Sequence, residues 1–238
     1  VSARFEELAW DRTPIGEVSL RRRLDPVTRQ DALEVKLDDE WLMSSQFTVA
    51  EEELARRGLA RIPGERLDVV VGGLGLGFTA VTALEDARVH ELVVVELLAP
   101  VIDWHERGLV PAGPTLSDDA RCRVVQADFF SMSHREGYDP ERPGRLWDAV
   151  LLDIDHSPRH VLDDGSASFY GVDGMRAVAS RLRPGGVYAM WSNDPPDADY
   201  VEVLERVFAD VTADVVTFPN PLQGREATAT IYVATTSG

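Results

Sequence analysis

Cysteine, lysine and long apolar runs are all scarce in this chain of 238 residues. Cys122 is the only cysteine, so no internal disulfide can form, and a reducing cytoplasm is the expected location. No apolar run is long enough to cross a membrane, and the first residues do not resemble a signal peptide. These absences predict a cytoplasmic protein that makes no membrane contact.

Positive charge is also in short supply. Lys36 is the only lysine, and lysine plus arginine number 24 against 41 aspartate plus glutamate, which gives a net charge of −17. Because such a surface repels phosphate backbones, no nucleic-acid partner is expected. The same balance is compatible with a small cationic ligand, although most surface carboxylates serve solubility.

Two regions with different patterns divide the chain. Residues 1–45 contain four short segments with partial two-residue alternation, separated by turn residues, which predicts a small unit of β-hairpins or a β-meander. So few strands fold poorly alone, and we expect this unit to pack on the main domain or on a second subunit. Residues 46–238 are the predicted nucleoside-binding domain, and its first helix starts after Thr48, the predicted N-cap.

From Leu67 onward, strand patterns alternate with helical patterns, which is typical of a parallel sheet covered by helices. The predicted strands are 67–71, 91–96, 122–126, 147–153 and 186–191. The predicted helices lie near 77–86, 99–107, 170–182 and 198–208. Two more strand patterns, 213–218 and 227–233, flank a turn at 219–224. The fold class is therefore α/β, a mostly parallel Rossmann-like sheet that ends in an antiparallel hairpin.

A glycine-rich stretch follows the first of these strands. Four glycines allow a tight turn and the close approach of a ligand: Gly72, Gly73, Gly75 and Gly77. The next residues open a helix, whose free N–H groups favour anionic or hydroxyl oxygens, so a nucleotide or nucleoside site is predicted. Two loop types fit the stretch. The dinucleotide fingerprint fits as Gly75-x-Gly77-x-x-Ala80, and the S-adenosylmethionine loop of class I methyltransferases fits as Gly73-x-Gly75-x-Gly77.

Acidic residues end the next three strands of the domain. Glu96 ends the second strand, where a carboxylate can accept hydrogen bonds from both hydroxyls of a ribose. Asp128 follows the third strand beside Phe129, and an acceptor next to an aromatic face suits an adenine ring. Asp153 ends the fourth strand. A lone aspartate is more often a helix cap, but three such residues after a glycine loop favour a nucleoside site.

The segment after the fourth strand supplies the candidate catalytic groups Asp153, Asp155 and His156. A sulfonium donor carries its own leaving group, so the protein needs to align two reactants and remove one proton. Asp153 is the preferred base, and the alternative is a carboxylate that only organises the loop. No ordered metal-ligand spacing occurs here, so no metal is expected. Four residues are candidates for the acceptor site: Tyr170, Trp191, Ser192 and Asn193.

Together these features resemble the spermidine synthase-like group of the class I methyltransferase fold. The likeness rests on the loop 72–77, on Glu96 and Asp128, and on the segment 147–158, and it covers nearly the whole chain. In that group a small N-terminal β unit precedes the nucleoside-binding domain. The resemblance implies that Glu96 binds the ribose, that Asp128 contacts the adenine, and that Asp153 helps to deprotonate an attacking amine.

The chain departs from that family where the substrates are recognised. Spermidine synthases carry an acidic residue within the glycine loop, where this chain has Leu74 and Leu76. They carry a tyrosine followed by histidine or glutamine near the first helix, where this chain has Ala50 and Glu51. The spacing after Asp153 is altered as well. The nucleoside site therefore looks retained, and the substrate site looks changed.

The predicted function is the transfer of a methyl group from S-adenosylmethionine to a small acceptor that can carry an amine. The alternative is aminopropyl transfer from decarboxylated S-adenosylmethionine, as in spermidine synthases. An NAD-dependent oxidoreductase and a non-catalytic nucleoside-binding protein are alternatives of other classes. A homodimer is expected, from the resemblance and because the β unit is small.

Overall fold

The computed structural model contains two β-sheets and describes residues 5–220 and 224–238. The N-terminal sheet is an antiparallel meander, as predicted, with four strands paired in chain order. These strands are β1 (Phe5–Thr13), β2 (Gly16–Leu24), β3 (Asp31–Leu37) and β4 (Glu40–Ser44). Val18, Leu20 and Val35 are buried and join the same core as the large sheet, so the small unit packs on the main domain.

The large sheet has seven strands in the order β10-β11-β9-β8-β5-β6-β7. They are β5 (Leu67–Gly72), β6 (Val89–Glu96), β7 (Cys122–Gln126), β8 (Trp147–Leu152), β9 (Leu182–Ser192), β10 (Asp210–Asn220) and β11 (Arg225–Thr235). Strands β5 to β9 pair in parallel, and β11 pairs antiparallel with β9 and β10. The predicted fold class is confirmed. Within the predicted hairpin turn, residues 221–223 lie outside the described residues.

Seven α-helices surround the large sheet in the described part of the chain. They are α1 (Val49–Ala60), α2 (Phe78–Glu85), α3 (Ala99–Glu106), α4 (Ala112–Asp118), α5 (Phe129–His134), α6 (Val172–Ala179) and α7 (Ala198–Glu205). A 3₁₀ helix covers Asp164–Tyr170. None of the described helices is both long enough and apolar enough to cross a membrane.

The sequence patterns missed three short helical segments: α4, α5 and the 3₁₀ helix. The α4 segment contains Gly113 and Pro114, which are poor helix formers, so it depends on tertiary packing. The N-cap of α1 is Thr48, as predicted, although its side chain makes no capping hydrogen bond. The hydroxyl of Thr48 donates to Glu52 Oε1 at 2.8 Å and makes no bond to the backbone of the first turn.

Strand β5 lies where the strand order reverses, with β6 on one side and β8 on the other. Val69 and Val71 belong to one apolar core and Val70 to the core on the opposite face, so β5 is covered on both sides as its sequence predicts. Open α/β sheets bind ligands outside the carboxyl ends of the strands at such a reversal. The loops after β5 and β8 meet at this point.

Candidate functional site

A cavity of about 410 Å³ opens at the carboxyl edge of the large sheet. Its wall includes residues that follow four consecutive parallel strands: Gly73, Glu96, Asp128 and Asp153. Leu42 and Met43 of the N-terminal sheet cover one side of it. The structure therefore brings together the glycine loop and the three acidic strand ends that the sequence singled out.

The glycine loop closes tightly against the chain that follows β8. Gly73 has a φ of +94°, and a Cβ atom there would lie 2.1 Å from the backbone oxygen of Asp153. The N–H of Asp153 donates to the oxygen of Gly72 at 2.7 Å, and the N–H of Gly73 donates to the oxygen of Val95 at 2.9 Å. Only glycine combines this backbone conformation with this close approach.

The four glycines occupy different places. Gly73 and Gly75 lie on the cavity wall, and the oxygen of Gly75 is 2.9 Å from Nε2 of buried His105. Gly72 packs under the ring of Phe129, where a Cβ would come within 2.6 Å of the ring. Gly77 is the N-cap of α2. Two of the predicted ligand-binding glycines thus support the loop from outside the cavity wall.

Glu96 holds the loop in place as well as lining the cavity. Its Oε2 accepts a hydrogen bond from the N–H of Leu74 at 2.9 Å, and its Oε1 accepts one from the N–H of Leu98 at 2.7 Å. Burial raises the pKa of the carboxyl, and these backbone donors oppose the rise. The backbone N–H groups of Gly75 and Leu97 also favour the ionised form of this carboxyl, so Glu96 lies among backbone donors of the glycine loop and of the start of α3.

Asp128 caps helix α5. Its Oδ1 accepts from the N–H of Phe130 at 3.0 Å, and its Oδ2 accepts from the hydroxyl of Ser131 at 2.6 Å. Phe129, which the sequence placed beside the adenine, is 2% exposed and stacks on Tyr138 with ring centroids 4.7 Å apart. Phe130 is half-buried on the same cavity wall and offers the larger accessible aromatic surface.

Asp153 lies at the floor of the cavity with both carboxylate oxygens engaged. Thr79 Oγ1 donates to Oδ2 at 2.6 Å, and Trp191 Nε1 donates to Oδ1 at 2.6 Å. Burial raises the pKa of the Asp153 carboxyl, while the two donors favour the ionised form. A buried carboxylate with a perturbed pKa at the floor of a cavity is a candidate for proton transfer.

The other two candidate catalytic residues point elsewhere. Asp155 is 2% exposed, and it accepts from the hydroxyl of Tyr170 at 2.5 Å and from the N–H of Leu162 at 2.7 Å. These bonds tie the segment after β8 to the 3₁₀ helix. His156 lies on a different cavity, with Nε2 3.6 Å from Glu40 Oε1. Of the three residues, Asp153 alone has both carboxylate oxygens held by side-chain donors at the floor of the first cavity.

A second cavity, of about 650 Å³, lies between the N-terminal sheet, α1 and the C-terminal hairpin. Leu42, Met43 and Trp191 line both cavities, so the two adjoin at these side chains, of which Trp191 donates to Asp153. Aromatic side chains form much of its wall: Trp41, Phe47, Trp191 and Phe218. Of the four predicted acceptor-site residues, Trp191 and Asn193 line this cavity. Tyr170 is buried against Asp155, and Ser192 is buried with its hydroxyl accepting from the N–H of Asp194.

The sequence patterns did not identify Glu51 as a residue of the second cavity. It lies in the first turn of α1, is 4% exposed, and lines the second cavity. A signal for it existed, because Glu51, Leu54, Ala55 and Gly58 fall on one helical face. A glutamate on the apolar face of a helix is an exception that calls for a partner or a function.

Three residues at the opposite edge of the sheet have metal-ligand character. Ligand atoms of Asp68, His90 and Glu91 all lie within 4.8 Å of one another. Arg145 lies 3.0 Å from Asp68 and 2.8 Å from Glu91, so a guanidinium already supplies positive charge to this group. These residues are at the amino ends of β5 and β6, away from the glycine loop.

The comparison with solved structures identifies the fold. Spermidine synthase from Thermotoga maritima superposes with a TM-score of 0.70 at 16% identity, covering 96% of this chain and 72% of that one. The chain has the spermidine synthase fold. A spermidine synthase in complex with the transition-state analogue AdoDATO superposes with a TM-score of 0.71, also at 16% identity, covering 96% of this chain and 73% of the other. The resemblance inferred from the sequence is thereby confirmed at the level of the fold.

Sequence comparison adds nothing to this likeness, because no protein-family model and no curated protein matches the chain. At 16% identity, the likeness between these proteins lies in the backbone architecture. The likeness to these solved structures therefore establishes the fold alone.

Proposed function

We propose that the chain is a sulfonium-dependent transferase that moves the aminopropyl group of decarboxylated S-adenosylmethionine to a small amine. The observation that carries this proposal is the charge of the first cavity. Its described lining includes the carboxylates Asp128, Asp153 and Asp163, and contains no lysine or arginine. The tail of the decarboxylated donor ends in an ammonium group, whereas the tail of S-adenosylmethionine also carries a carboxylate that these side chains repel.

The preference for methyl transfer rested on two departures from the family: the leucines of the glycine loop, and the lack of a tyrosine near the first helix, where this chain has Ala50 and Glu51. The positions of the two leucines weaken the first of these arguments. Leu74 and Leu76 are 2% and 1% exposed and pack in the core. Their side chains are directed away from the first cavity, so they carry no information about the tail of the donor. Methyl transfer is not confirmed, and the spermidine synthase fold favours the aminopropyl alternative.

In the proposed complex, residues 46–238 hold the nucleoside. The Glu96 carboxylate accepts from the ribose hydroxyls, and Phe130 with Asp128 borders the adenine. The sulfonium lies above Asp153 and beside Trp191, which lines both cavities. The N-terminal unit, residues 1–45, closes the acceptor side through Leu42 and Met43.

The proposed step needs one base and a fixed line of approach. The acceptor enters through the second cavity, whose aromatic and acidic wall suits an amine cation. Asp153 removes one proton from the nitrogen, whose lone pair forms the bond to the carbon next to sulfur. The carbon–sulfur bond breaks with its electron pair on sulfur, and methylthioadenosine leaves as a neutral thioether.

Calorimetry on the intact protein tests the donor. We expect decarboxylated S-adenosylmethionine and methylthioadenosine to bind, and S-adenosylmethionine to bind at least about tenfold more weakly, a difference of about 1.4 kcal/mol. NAD is expected to give no heat.

Other outcomes of the same titrations separate the alternatives. Tighter binding of S-adenosylmethionine would restore methyl transfer, and binding of NAD alone would favour the oxidoreductase. Nucleoside binding without turnover of any amine would leave a binding protein that retains the fold.

We also propose a homodimer in the cytoplasm. Phe5 and Trp10 of the N-terminal sheet are 52% and 46% exposed, and a second copy of the chain packed on this sheet would bury both. Light scattering of the full chain should give twice the mass of 26.3 kDa. A monomer over the whole working concentration range would contradict this proposal.

A further inference from the structure

The second cavity contains a carboxylate that the proposed transfer step does not use. Glu51 is buried, and no arginine, lysine or histidine of the described residues forms an ion pair with its side chain. Buried carboxylates are normally paired with a cation or a metal. An unpaired one facing a cavity therefore indicates either a bound proton or a cationic ligand.

Hydrogen bonding distinguishes Glu51 from Asp153. An indole N–H can only donate, so the bond from Trp191 to Asp153 favours the ionised form of that aspartate, and the bond from Thr79 supplements it. The Thr79 oxygen also lies 3.3 Å from the backbone oxygen of Glu51, so one hydroxyl contacts both the Asp153 carboxylate and the first turn of α1, where Glu51 lies. The Glu51 carboxyl has only its own backbone N–H as a donor, which favours its ionised form less than the two side-chain donors favour that of Asp153, so Glu51 is the acid that carries the proton.

The charged groups around Glu51 come from every element that packs near it. Asp153 lies after β8, Glu52 is its neighbour on α1, and His156 faces the same cavity. Arg23 and Glu34 of the N-terminal sheet line the cavity too, but Arg23 lies 2.7 Å from Glu34 and 3.5 Å from Asp25 and is already neutralised. Burial and then the charge of Asp153 raise the pKa of Glu51 to about 8.

We propose that Glu51 and Asp153 form one acid–base pair, which holds a single proton in the empty site and releases it when a cationic nitrogen of the acceptor enters the second cavity. The ammonium group then supplies the positive charge that the proton supplied. The O–H bond of Glu51 breaks, the proton passes to solvent, and the carboxylate pairs with the ammonium. This inference rests on the proposed function for the identity of the cation, and it makes Glu51 the residue that selects charged acceptors.

Carbon-13 NMR of protein labelled at the glutamate side-chain carboxyl carbon tests the proton directly. One resonance should titrate near the pKa of about 8, far above the ordinary value of 4.5, and it should vanish in Glu51→Gln. The matched control is Glu53→Gln, on the same helix, whose carboxylate already pairs with Arg57 at 2.7 Å. If every glutamate resonance titrates near its ordinary value, the acid–base pair is overturned.

A second measurement uses the stability of the protein. A carboxyl whose pKa is higher in the folded state stabilises the fold fully below its unfolded pKa, and this contribution is lost as the pH rises through the folded pKa. The free energy of unfolding should therefore decline less between pH 4.5 and about 8 in Glu51→Gln than in the wild type or in Glu53→Gln. An equally steep decline in all three proteins contradicts the proposal.

Linear diamines of three to five carbons serve as cationic probes of the exchange. At neutral pH, a diamine that binds should move the Glu51 resonance to its ionised position, and the neutral diols of equal length should leave it unchanged. If no diamine moves the resonance, or if one binds while Glu51 stays protonated, the exchange is overturned. The titration of Glu51 needs no donor, so its result is independent of whether the calorimetry supports the proposed donor.

Discussion

Replacing Asp153 by asparagine should lower turnover by about 10²–10⁴-fold, the usual contribution of a positioned general base. The affinity for methylthioadenosine should be nearly unchanged. The structure indicates that the variant folds, because the amide can satisfy both contacts. Its oxygen accepts from Trp191 Nε1, and its nitrogen donates to Thr79 Oγ1, whose proton then points to the oxygen of Glu51 at 3.3 Å.

Single-turnover kinetics and calorimetry on the same preparation check this prediction. Asp163→Asn is the matched control, since Asp163 lines the first cavity while its side chain caps the 3₁₀ helix through the N–H of Gly165. A fall in turnover that is equal in both variants would indicate a general effect of cavity charge. Unchanged turnover in Asp153→Asn would remove Asp153 as the base and leave it the role of organising the loop.

Replacing Gly73 by alanine should have the second large effect, on stability and on binding together. The backbone conformation at a φ of +94° costs a non-glycine residue about 1–3 kcal/mol. The added methyl group also meets the oxygen of Asp153 at 2.1 Å, and relieving such overpacking costs about 1–3 kcal/mol more. Because the relief displaces the chain after β8, nucleoside binding should be lost as well.

Gly64→Ala separates the two causes. Gly64 has a φ of +113° but no atom within 4 Å of the added Cβ, so only the backbone strain applies. Urea unfolding should show a clearly smaller loss for Gly64→Ala than for Gly73→Ala, and Gly64→Ala should bind nucleoside normally. Equal losses in the two variants would mean that the contact between the glycine loop and Asp153 contributes nothing.

The spacing of apolar residues along the sequence predicted the strands correctly, because strand formation depends largely on neighbouring residues. Strand β5 was predicted from its β-branched run, and β1 to β4 from the alternation in residues 5–44, and the observed strands lie close to the predicted ones. Segments such as α4 were missed, because their helical state comes from packing and their own residues oppose it. The helix predicted at 170–182 is also too long, since its first residue belongs to the 3₁₀ helix and its last begins β9.

For the site, too, the sequence predicted the positions of the residues but not their contacts. Carboxyl ends of parallel strands converge at one edge of a sheet, so strand order alone brings Glu96, Asp128 and Asp153 to one cavity. Their contacts do not follow from that rule. Asp128 is also a helix cap, and Asp155 turns away to Tyr170, because a side chain's direction depends on donors that other segments supply.

The sequence by itself determined an α/β chain with a nucleoside loop and acidic strand ends, since periodicity and glycine chemistry act over neighbouring residues. Only the tertiary structure decided that Leu74 and Leu76 belong to the core and that Glu51 shares its surroundings with Asp153. The pairing of those two acids joins a helix near the start of the chain to a strand end about a hundred residues later. Such a contact depends on how whole elements pack, and no local spacing encodes it.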